Sequence, residues 1–517
     1  MEIYSYAPMG YEGLVVSVEA DIRRGIPGLE VVGLPDSAVR EARERVRAAV
    51  RNSGWDFPSG RILINMAPAG VRKEGAGFDL SLAAAILLRA RVLPLWPELR
   101  LMLLGELTLT GLVRPVSGVL SAVAKGRAEG ISAFIVPRAN LEEAKIIKGP
   151  RVFEIDHLGN LPELFHRLGD PRDGGSEPEP YTTSSSSSFP DDQDWEDFGN
   201  IRGQAVMRRA IEVAAAGGHH VLLFGPPGCG KTMAARSLPS ILPPLTAAAA
   251  LEVTRIYSVA GLLRGDGRLI RHSPCRMPHH SSSMEGLVGG GKGILPGEVS
   301  LAHRGVLVLD EAPEFRKNLL QSLREPLETG RINLARADRT LWYPALFQLV
   351  LTANPCPCGN LGKAKGVCVC SPQEIRRYWK QIGGALMDRI DMRIPVGPLT
   401  PGEYTGPRGE KSEEIRRRVA EALSRQEFRY DRETFKRNAR IPPGRLALYC
   451  ELEPEVERTF LSALKKLSLS SRAMGSVLRV ARTIADLQGG GSIGREHILE
   501  AFQHRRYGDA DFYWHGP

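Results

Sequence analysis

The period of apolar positions changes several times along the chain, and each change marks a different element. In the first 170 residues, Gly13–Val18 and Arg61–Met66 read as strands from their apolar runs, whereas Asp36–Asn52 and Gly77–Leu88 carry helical spacing. This combination predicts an α/β domain. Further along, Gly203–Ala216 predicts a helix, His220–Phe224 a short buried strand, and Lys231–Leu238 the next helix. Val306–Leu309 and Leu346–Thr352 predict further strands, the first a fully apolar run of the kind a parallel strand covered on both faces requires. Beyond Pro401 the pattern is mostly helical. It is most regular in Ser470–Leu487, where Met474, Val477, Leu478, Ala481, Ile484 and Ala485 share one face.

Between the first domain and the rest lies a polar, acidic, serine-rich stretch containing SEPEP, TTSSSSS and DDQDWEDFG. Such a composition cannot bury enough apolar surface to offset its ordering entropy, so residues 171–198 predict a flexible linker. The expected division is 1–170, a linker 171–198, an α/β nucleotide-binding core 199–400, and a helical lid 401–517. A length of 517 residues suits two to four such units. No apolar run reaches the roughly 18 residues of a membrane span, and the start of the chain does not read as a secretory signal; no membrane role and a cytoplasmic address are the expectations.

Charge sharpens the picture. Residues 201–400 hold 25 lysines and arginines against 14 acids, a net +11, while residues 1–170 carry +1, 171–200 carry −7 and 401–517 carry +4. A polyanion would therefore meet the middle of the chain; a solvated basic surface is the plain alternative. Seven cysteines exclude a disulfide scaffold, yet four of them, Cys356, Cys358, Cys368 and Cys370, fall within fifteen residues. Cys-x-Cys, nine residues, then Cys-x-Cys suits tetrahedral Zn²⁺, although the spacing is tighter than usual and reduced, unligated thiols stay open as a reading.

Gly225-Pro226-Pro227-Gly228-Cys229-Gly230-Lys231-Thr232 matches the phosphate-loop pattern in full, between a predicted strand and a predicted helix. Glycines let backbone N–H groups close around phosphates at the helix N-terminus, Lys231 reaches the β and γ oxygens, and the Thr232 hydroxyl ligates Mg²⁺. Val306–Leu309 delivers Asp310 and Glu311 to a strand end, where Asp310 would hold the magnesium ion and Glu311 would activate the attacking water. Asn354, after the next strand, fits a sensor of the γ-phosphate or the water; a turn-forming Asn-Pro pair is the alternative.

Together with Met387-Asp388-Arg389-Ile390-Asp391 and a helical lid, these motifs resemble AAA+ ATPases of the magnesium-chelatase-like branch. More narrowly, Arg276-Met277-Pro278-His279-His280, Pro296-Gly297-Glu298-Val299-Ser300-Leu301-Ala302-His303 and Asn354-Pro355-Cys356-Pro357-Cys358-Gly359 are similar to the competence-type helicases of the ComM/YifB family. The resemblance covers nearly the whole chain. It implies a P-loop AAA+ core using ATP and Mg²⁺, and a homo-oligomeric, hexameric ring. It also implies a helicase or translocase acting on single-stranded or branched DNA in uptake, natural transformation and recombination, with recombination proteins as partners. Arg389 takes the place of an arginine finger serving a neighbouring subunit, and Arg472 that of a sensor-2 arginine, with Arg479 as its fallback; a surface salt bridge is the plain alternative for each. The glycine-rich insertion Gly286–Gly293, with Lys292, and a hairpin carrying Arg331, Arg336 and Arg339 are the candidate DNA contacts. His279 and His280 read as packed or hydrogen-bonded rather than metal-binding.

The N-terminal domain is similar to the proteolytic domain of Lon-type proteases, of the ribosomal S5 type 2-like fold, through Lys73–Asp79, Gly105–Thr108 and Val113–Gly118. Gly77 and Leu120 stand at the places of the serine nucleophile and lysine base. Neither can attack a carbonyl or accept a proton, so the resemblance implies an inactive domain kept for binding or assembly; Ser81 and Ser117 have no base at a suitable offset. The alternative function is a chelatase-like motor that remodels a protein partner, although no D-x-S-x-S adhesion motif is present.

Overall fold

The computed structural model is described over residues 1–170, 173, 195–263, 267–291, 293–336, 339–363, 366–467 and 469–505. Most of the linker 171–198, Lys292, and the side chains of Arg336 and Arg339 lie outside the described residues.

A seven-stranded sheet organises the N-terminal domain, in the order Gly28–Val32, Arg61–Ala67, Leu14–Arg23, Glu2–Ala7, Arg100–Leu103, Ala133–Pro137, Arg151–Ile155. Leu14–Arg23 runs antiparallel to both of its neighbours, and from Glu2–Ala7 onward the pairing is parallel. Helix Ser37–Asn52 begins where Asp36 accepts a hydrogen bond from the Val39 N–H at 2.8 Å, and it buries Val39, Ala42, Val46, Ala49 and Val50 at helical spacing. The helical pattern around Gly77–Leu88 divides into a tight turn, Ala76–Phe78, and an α-helix, Asp79–Arg89.

The second sheet has five strands, all parallel, in the order Cys275–Arg276, Val306–Leu309, Gln348–Ala353, Val221–Phe224, Met392–Pro395. Side chains alternate across it. Leu222, Leu307, Leu309, Leu349 and Leu351 pack towards Phe315, Leu319, Trp379 and Ile382, whereas Val221, Leu223, Val306, Val308 and Val350 enter a core shared with helix Ala205–Gly217 and the C-terminal helices, the expected lid. Among the described residues this C-terminal unit therefore has no core of its own. Its helices Ser412–Arg429 and Ser471–Leu487 bury Val419, Val477, Ala481 and Ile484 in that same cluster.

A buried polar network joins the lid to the sheet. Asp391, beside the edge strand, accepts from Ser476 Oγ at 2.7 Å and pairs with His219 Nδ1 at 3.1 Å, while His219 Nε2 meets Thr483 Oγ1 at 2.8 Å. Burial opposes the charge on Asp391, but the hydrogen bond to His219 and the surrounding positive charge hold its carboxyl below the ordinary value on balance.

The N-terminal domain docks on helix Ala247–Val259 and on the hairpin Arg331–Arg336/Arg339–Pro344. Tyr11 N donates to Trp342 O at 3.1 Å, Arg255 lies over the Tyr11 ring at 4.4 Å, and Ser258 Oγ donates to buried Glu143 at 2.6 Å. Among the described residues no helix is long and apolar enough to cross a membrane.

Replacing Asp391 by alanine leaves Ser476 Oγ and His219 Nδ1 without their partner, although His219 Nε2 keeps Thr483, so urea unfolding of the variant is expected to show a loss of about 1–3 kcal/mol, the cost typical of leaving a buried polar group unsatisfied. Because the folded carboxyl lies below its ordinary 3.8, this contribution is complete at neutral pH and declines only as the pH falls below that value towards the folded one. The gap between native and variant proteins should close on the acid side, not the alkaline side.

Candidate active site

The phosphate-loop residues leave strand Val221–Phe224 at the carboxyl edge of the parallel sheet and enter helix Lys231–Ser237. Gly225 passes so close to its neighbour strand that a Cβ there would lie 2.0 Å from Val396 O, and Gly228 and Gly230 adopt φ of +84° and +88°. These three positions require glycine for steric reasons. The Lys231 ammonium donates to Gly225 O at 2.7 Å, Pro226 O at 2.9 Å and Asn354 Oδ1 at 3.3 Å. Burial lowers its pKa below the usual lysine value, and the Cys229 thiol beside it is shifted up by the same cause.

Thr232 Oγ1 donates to both carboxylate oxygens of Asp310, at 3.0 and 3.2 Å. A hydroxyl and a carboxylate in contact at a strand edge form the oxygen donor pair that Mg²⁺ takes from protein when phosphates and water supply its other ligands. Thr352 was not singled out by its sequence context, yet it organises this pair: its Oγ1 donates to Asp310 Oδ1 at 2.5 Å and accepts from the Glu311 N–H at 2.9 Å. Glu311 itself has φ +51°, a left-handed backbone that turns its exposed carboxylate out of the strand direction. A cleft of ≈ 360 Å³ is lined by Pro227, Gly228, Gly230, Lys231, Thr232, Met233, Asp310, Glu311, Thr352 and Asn354.

Arg389 and Arg472 do not line that cleft. Both guanidinium groups converge on Glu328: Arg389 pairs with Glu328 Oε1 and also donates to Ala385 O, and Arg472 Nη2 reaches the same Glu328 oxygen at 3.1 Å. Glu328 was not visible in the sequence as a site residue. Arg479 instead donates to Ile441 O at 2.8 Å inside the lid.

The four cysteine sulfurs all lie within 4.8 Å of one another, the one such metal-ligating cluster among the described residues. Sγ–Sγ separations are 3.4 Å for Cys356–Cys358, 3.6 Å for Cys356–Cys368 and 3.8 Å for Cys358–Cys368. A tetrahedral ion with Zn–S bonds of about 2.3 Å has sulfur–sulfur edges of about 3.8 Å, so donor type and spacing both fit Zn²⁺.

The other motifs are structural neighbours of these. Arg276 forms a two-bond ion pair with Glu298, at 2.5 and 2.7 Å, tying the RMPHH and PGEVSLAH segments together. His279 and His280 are exposed, with ring centroids 4.0 Å apart, and His279 Nδ1 meets Ser281 Oγ at 2.8 Å. The glycine-rich insertion folds back as a two-stranded ribbon, Gly289–Gly290 with Leu295–Pro296, and Tyr343 of the neighbouring hairpin donates to Ile294 O at 2.8 Å. The two candidate DNA-contacting segments are thus one joined unit, in which exposed Arg331 covers the Trp342 ring at 4.7 Å.

Family models agree with this architecture along the chain. Residues 197–404 match the model described as magnesium chelatase, subunit ChlI; residues 18–140 match subunit ChlI of Mg-chelatase; and residues 409–505 match the ChlI C-terminal model. Rv2897c of Mycobacterium tuberculosis is 43% identical over 98% of each chain. YifB of Escherichia coli is 38% identical over 97% of this chain and 96% of its own, and competence protein ComM of Haemophilus influenzae is 37% identical over 97% of each. End-to-end similarity of this kind, on an intact phosphate loop and a C-terminal region that matches the ChlI C-terminal model, means that the chain belongs to the magnesium-chelatase-like ComM/YifB family.

Proposed function

We propose that the protein is a Mg²⁺-dependent ATPase that assembles into a ring, as a hexamer, and moves single-stranded or branched DNA in uptake, natural transformation and recombination. The observation that carries the ATPase reading is the convergence of Lys231, Thr232, Asp310, Thr352 and Asn354 on one cleft, with the Glu311 carboxylate at its rim. Lys231 would exchange its neutral carbonyl partners for β and γ phosphate oxygens, a stronger charge-assisted contact. Thr232 and Asp310 would hold Mg²⁺, which supplies neutralisation of charge on the phosphates. Glu311 would orient and deprotonate the attacking water, and Asn354 would fix its position relative to the γ-phosphate.

Arg389 serves a neighbour in this reading, and Arg472 keeps the place of a sensor-2 arginine. The position of Arg389 outside the cleft of its own chain supports action on the ATP site of the next subunit, while its pairing on Glu328, shared with Arg472, is what a plain salt bridge would also give. DNA as the substrate is supported by the name of the relative ComM and by the net +11 on residues 201–400. The cysteine cluster is proposed to hold structural Zn²⁺. The N-terminal domain is read as a Lon-like fold without protease activity: Leu120 is buried, Lys73 donates to Gly33 O and Pro68 O, and Ser81 donates to Phe78 O at 2.7 Å. The chelatase family models favour one second reading, a motor that remodels a protein partner.

Lys231→Ala is expected to lower ATP turnover by at least about 100-fold, as loss of an electrostatic stabiliser of the transition state does. Glu311→Gln should lower turnover by about 10²–10⁴-fold while ATP binding persists, because only the general base is lost. Thr352→Val should raise the Mg²⁺ concentration needed for half-maximal rate. Steady-state ATPase assays with a fluorescent-nucleotide binding titration check all three, and rapid turnover by Glu311→Gln removes that residue from its role.

Arg389→Ala should abolish hydrolysis while keeping nucleotide binding. Mixing it with Lys231→Ala should restore activity, since mixed rings contain interfaces with both groups intact; absence of recovery in rings shown by mass to be mixed contradicts action in trans.

Forked or four-way DNA is expected to stimulate the ATPase and to bind with a log-linear salt dependence of about 0.7–0.9 per phosphate contacted, largely regardless of sequence. Charge removal at Arg331, Arg336 and Arg339 should flatten that slope. Hydrolysis indifferent to DNA at low salt, but raised by a polypeptide partner, selects the remodelling motor instead.

A further inference from the structure

The segment that carries the four cysteines begins two residues after Asn354 and ends one residue before the N-cap of helix Pro372–Lys380. Ser371 fixes that helix start through a capping box with Glu374, at 2.7 and 3.3 Å. Seven residues further on, the helix brings two aromatic side chains back to the place where the segment began. Asn354 N donates to Tyr378 Oη at 3.3 Å, and Trp379 Nε1 donates to Pro355 O at 3.2 Å. Trp379 also stands edge-on to Phe224, centroids 5.8 Å apart, and Phe224 is the last strand residue before the phosphate loop.

The middle of the segment touches the phosphate loop itself. Gly359 has φ +73°, and a Cβ there would stand 3.1 Å from Cδ of Pro227. Backbone of the cysteine segment therefore rests directly on a residue that lines the nucleotide cleft.

Burial does not explain why this segment keeps its shape. Cys356 is fully buried, but Val367 and Val369, the two large aliphatic side chains flanking Cys368, are each 80% exposed. Apolar residues placed in solvent on either side of an inward-turned thiol follow ligation geometry, not core packing. The sulfur spacing described above supplies the missing constraint, because one tetrahedral ion would close the segment on itself and set the height of Gly359 against Pro227.

We infer that the cysteine segment, closed by one Zn²⁺ on Cys356, Cys358, Cys368 and Cys370, is a positioning element of the nucleotide site, so that metal and nucleotide bind with positive coupling. The inference rests on the cleft being the ATP site. Two routes transmit the coupling: the contact of Gly359 with Pro227, and the placement of Asn354, whose Oδ1 accepts from Lys231. By linkage the effect is reciprocal, with metal tightening nucleotide by the same factor that nucleotide tightens metal.

The test uses the full-length protein. Elemental analysis of the purified chain should give one zinc per chain, and cobalt exchanged into the site should show the thiolate charge-transfer bands and tetrahedral d–d absorption of a four-sulfur site. Affinity for a fluorescent ATP analogue is then measured before chelation, after chelation and after zinc is restored, and zinc release to a chromogenic chelator is timed with and without ATP. The account predicts that chelation weakens nucleotide at least about fivefold, reversibly, and that ATP slows metal release by a comparable factor. Gly359→Ala keeps the question open should the metal-free chain unfold: with the smallest side chain at this positive φ it should retain zinc and the cobalt spectrum yet bind the analogue more weakly, since the added Cβ meets Pro227. Zinc present, with nucleotide affinity unchanged by chelation and by Gly359→Ala, overturns the coupling and leaves the metal site standing. Absence of zinc and of a cobalt–thiolate spectrum overturns the site. A zinc-loaded protein that does not bind the analogue overturns the ATP reading, and the inference with it.

Discussion

Five strands that run in one direction place all of their carboxyl ends on one edge, and everything the core can do chemically follows from that constraint. Val221–Phe224 delivers the phosphate loop there, Val306–Leu309 delivers Asp310 and Glu311, and Gln348–Ala353 delivers Thr352 and then Asn354. Contacts among these groups cross between strands: Thr232 with Asp310, Asp310 with Thr352, Asn354 with Lys231. No one strand holds the site. A shift of any strand by one residue would turn its polar end away and leave the others without partners, so register and chemistry are one requirement.

The same sheet ties distant modules to the site. Its valine face is shared with the lid, and Asp391, His219, Ser476 and Thr483 fasten the two together through buried hydrogen bonds. Its leucine face packs towards Trp379, which returns to Pro355 beside Asn354. The N-terminal domain reaches the hairpin through Tyr11 and Trp342 and the helix Ala247–Val259 through Glu143 and Ser258. A change at the nucleotide edge is therefore in physical contact, through packed elements, with each part that the proposed motor would move.

Much of this was legible in the sequence, where chemistry and backbone geometry demand particular residues. Glycines at 225, 228 and 230 cannot be replaced without a clash or a strained φ, and two carboxylates after four apolar residues, a weak pattern alone, gain their meaning from that loop. Likewise, four closely spaced cysteines announced a cluster that the fold brings together. What was illegible depends on distance along the chain. Thr352 reads as an ordinary β-former in an apolar run, and only the neighbouring strand gives its hydroxyl a role. Glu328 lies 61 positions from Arg389 and 144 from Arg472, so no local pattern could pair them. Docking of Tyr11 on Trp342, and the contact of Gly359 with Pro227, are likewise products of tertiary packing. Helix periodicity found the helix Ser471–Leu487 but could not tell that its buried face joins the core of the sheet.

Central to the proposal is a nucleotide site completed by a second subunit, with Lys231, Thr232, Asp310 and Glu311 at the cleft and Arg389 outside the cleft of its own chain, paired with Glu328. The most direct measurement is ATP turnover per chain as a function of protein concentration, with the assembled mass followed in parallel by light scattering. The account predicts that specific activity is negligible for the monomer and rises together with ring formation. Full specific activity in a preparation shown to be monomeric would contradict it.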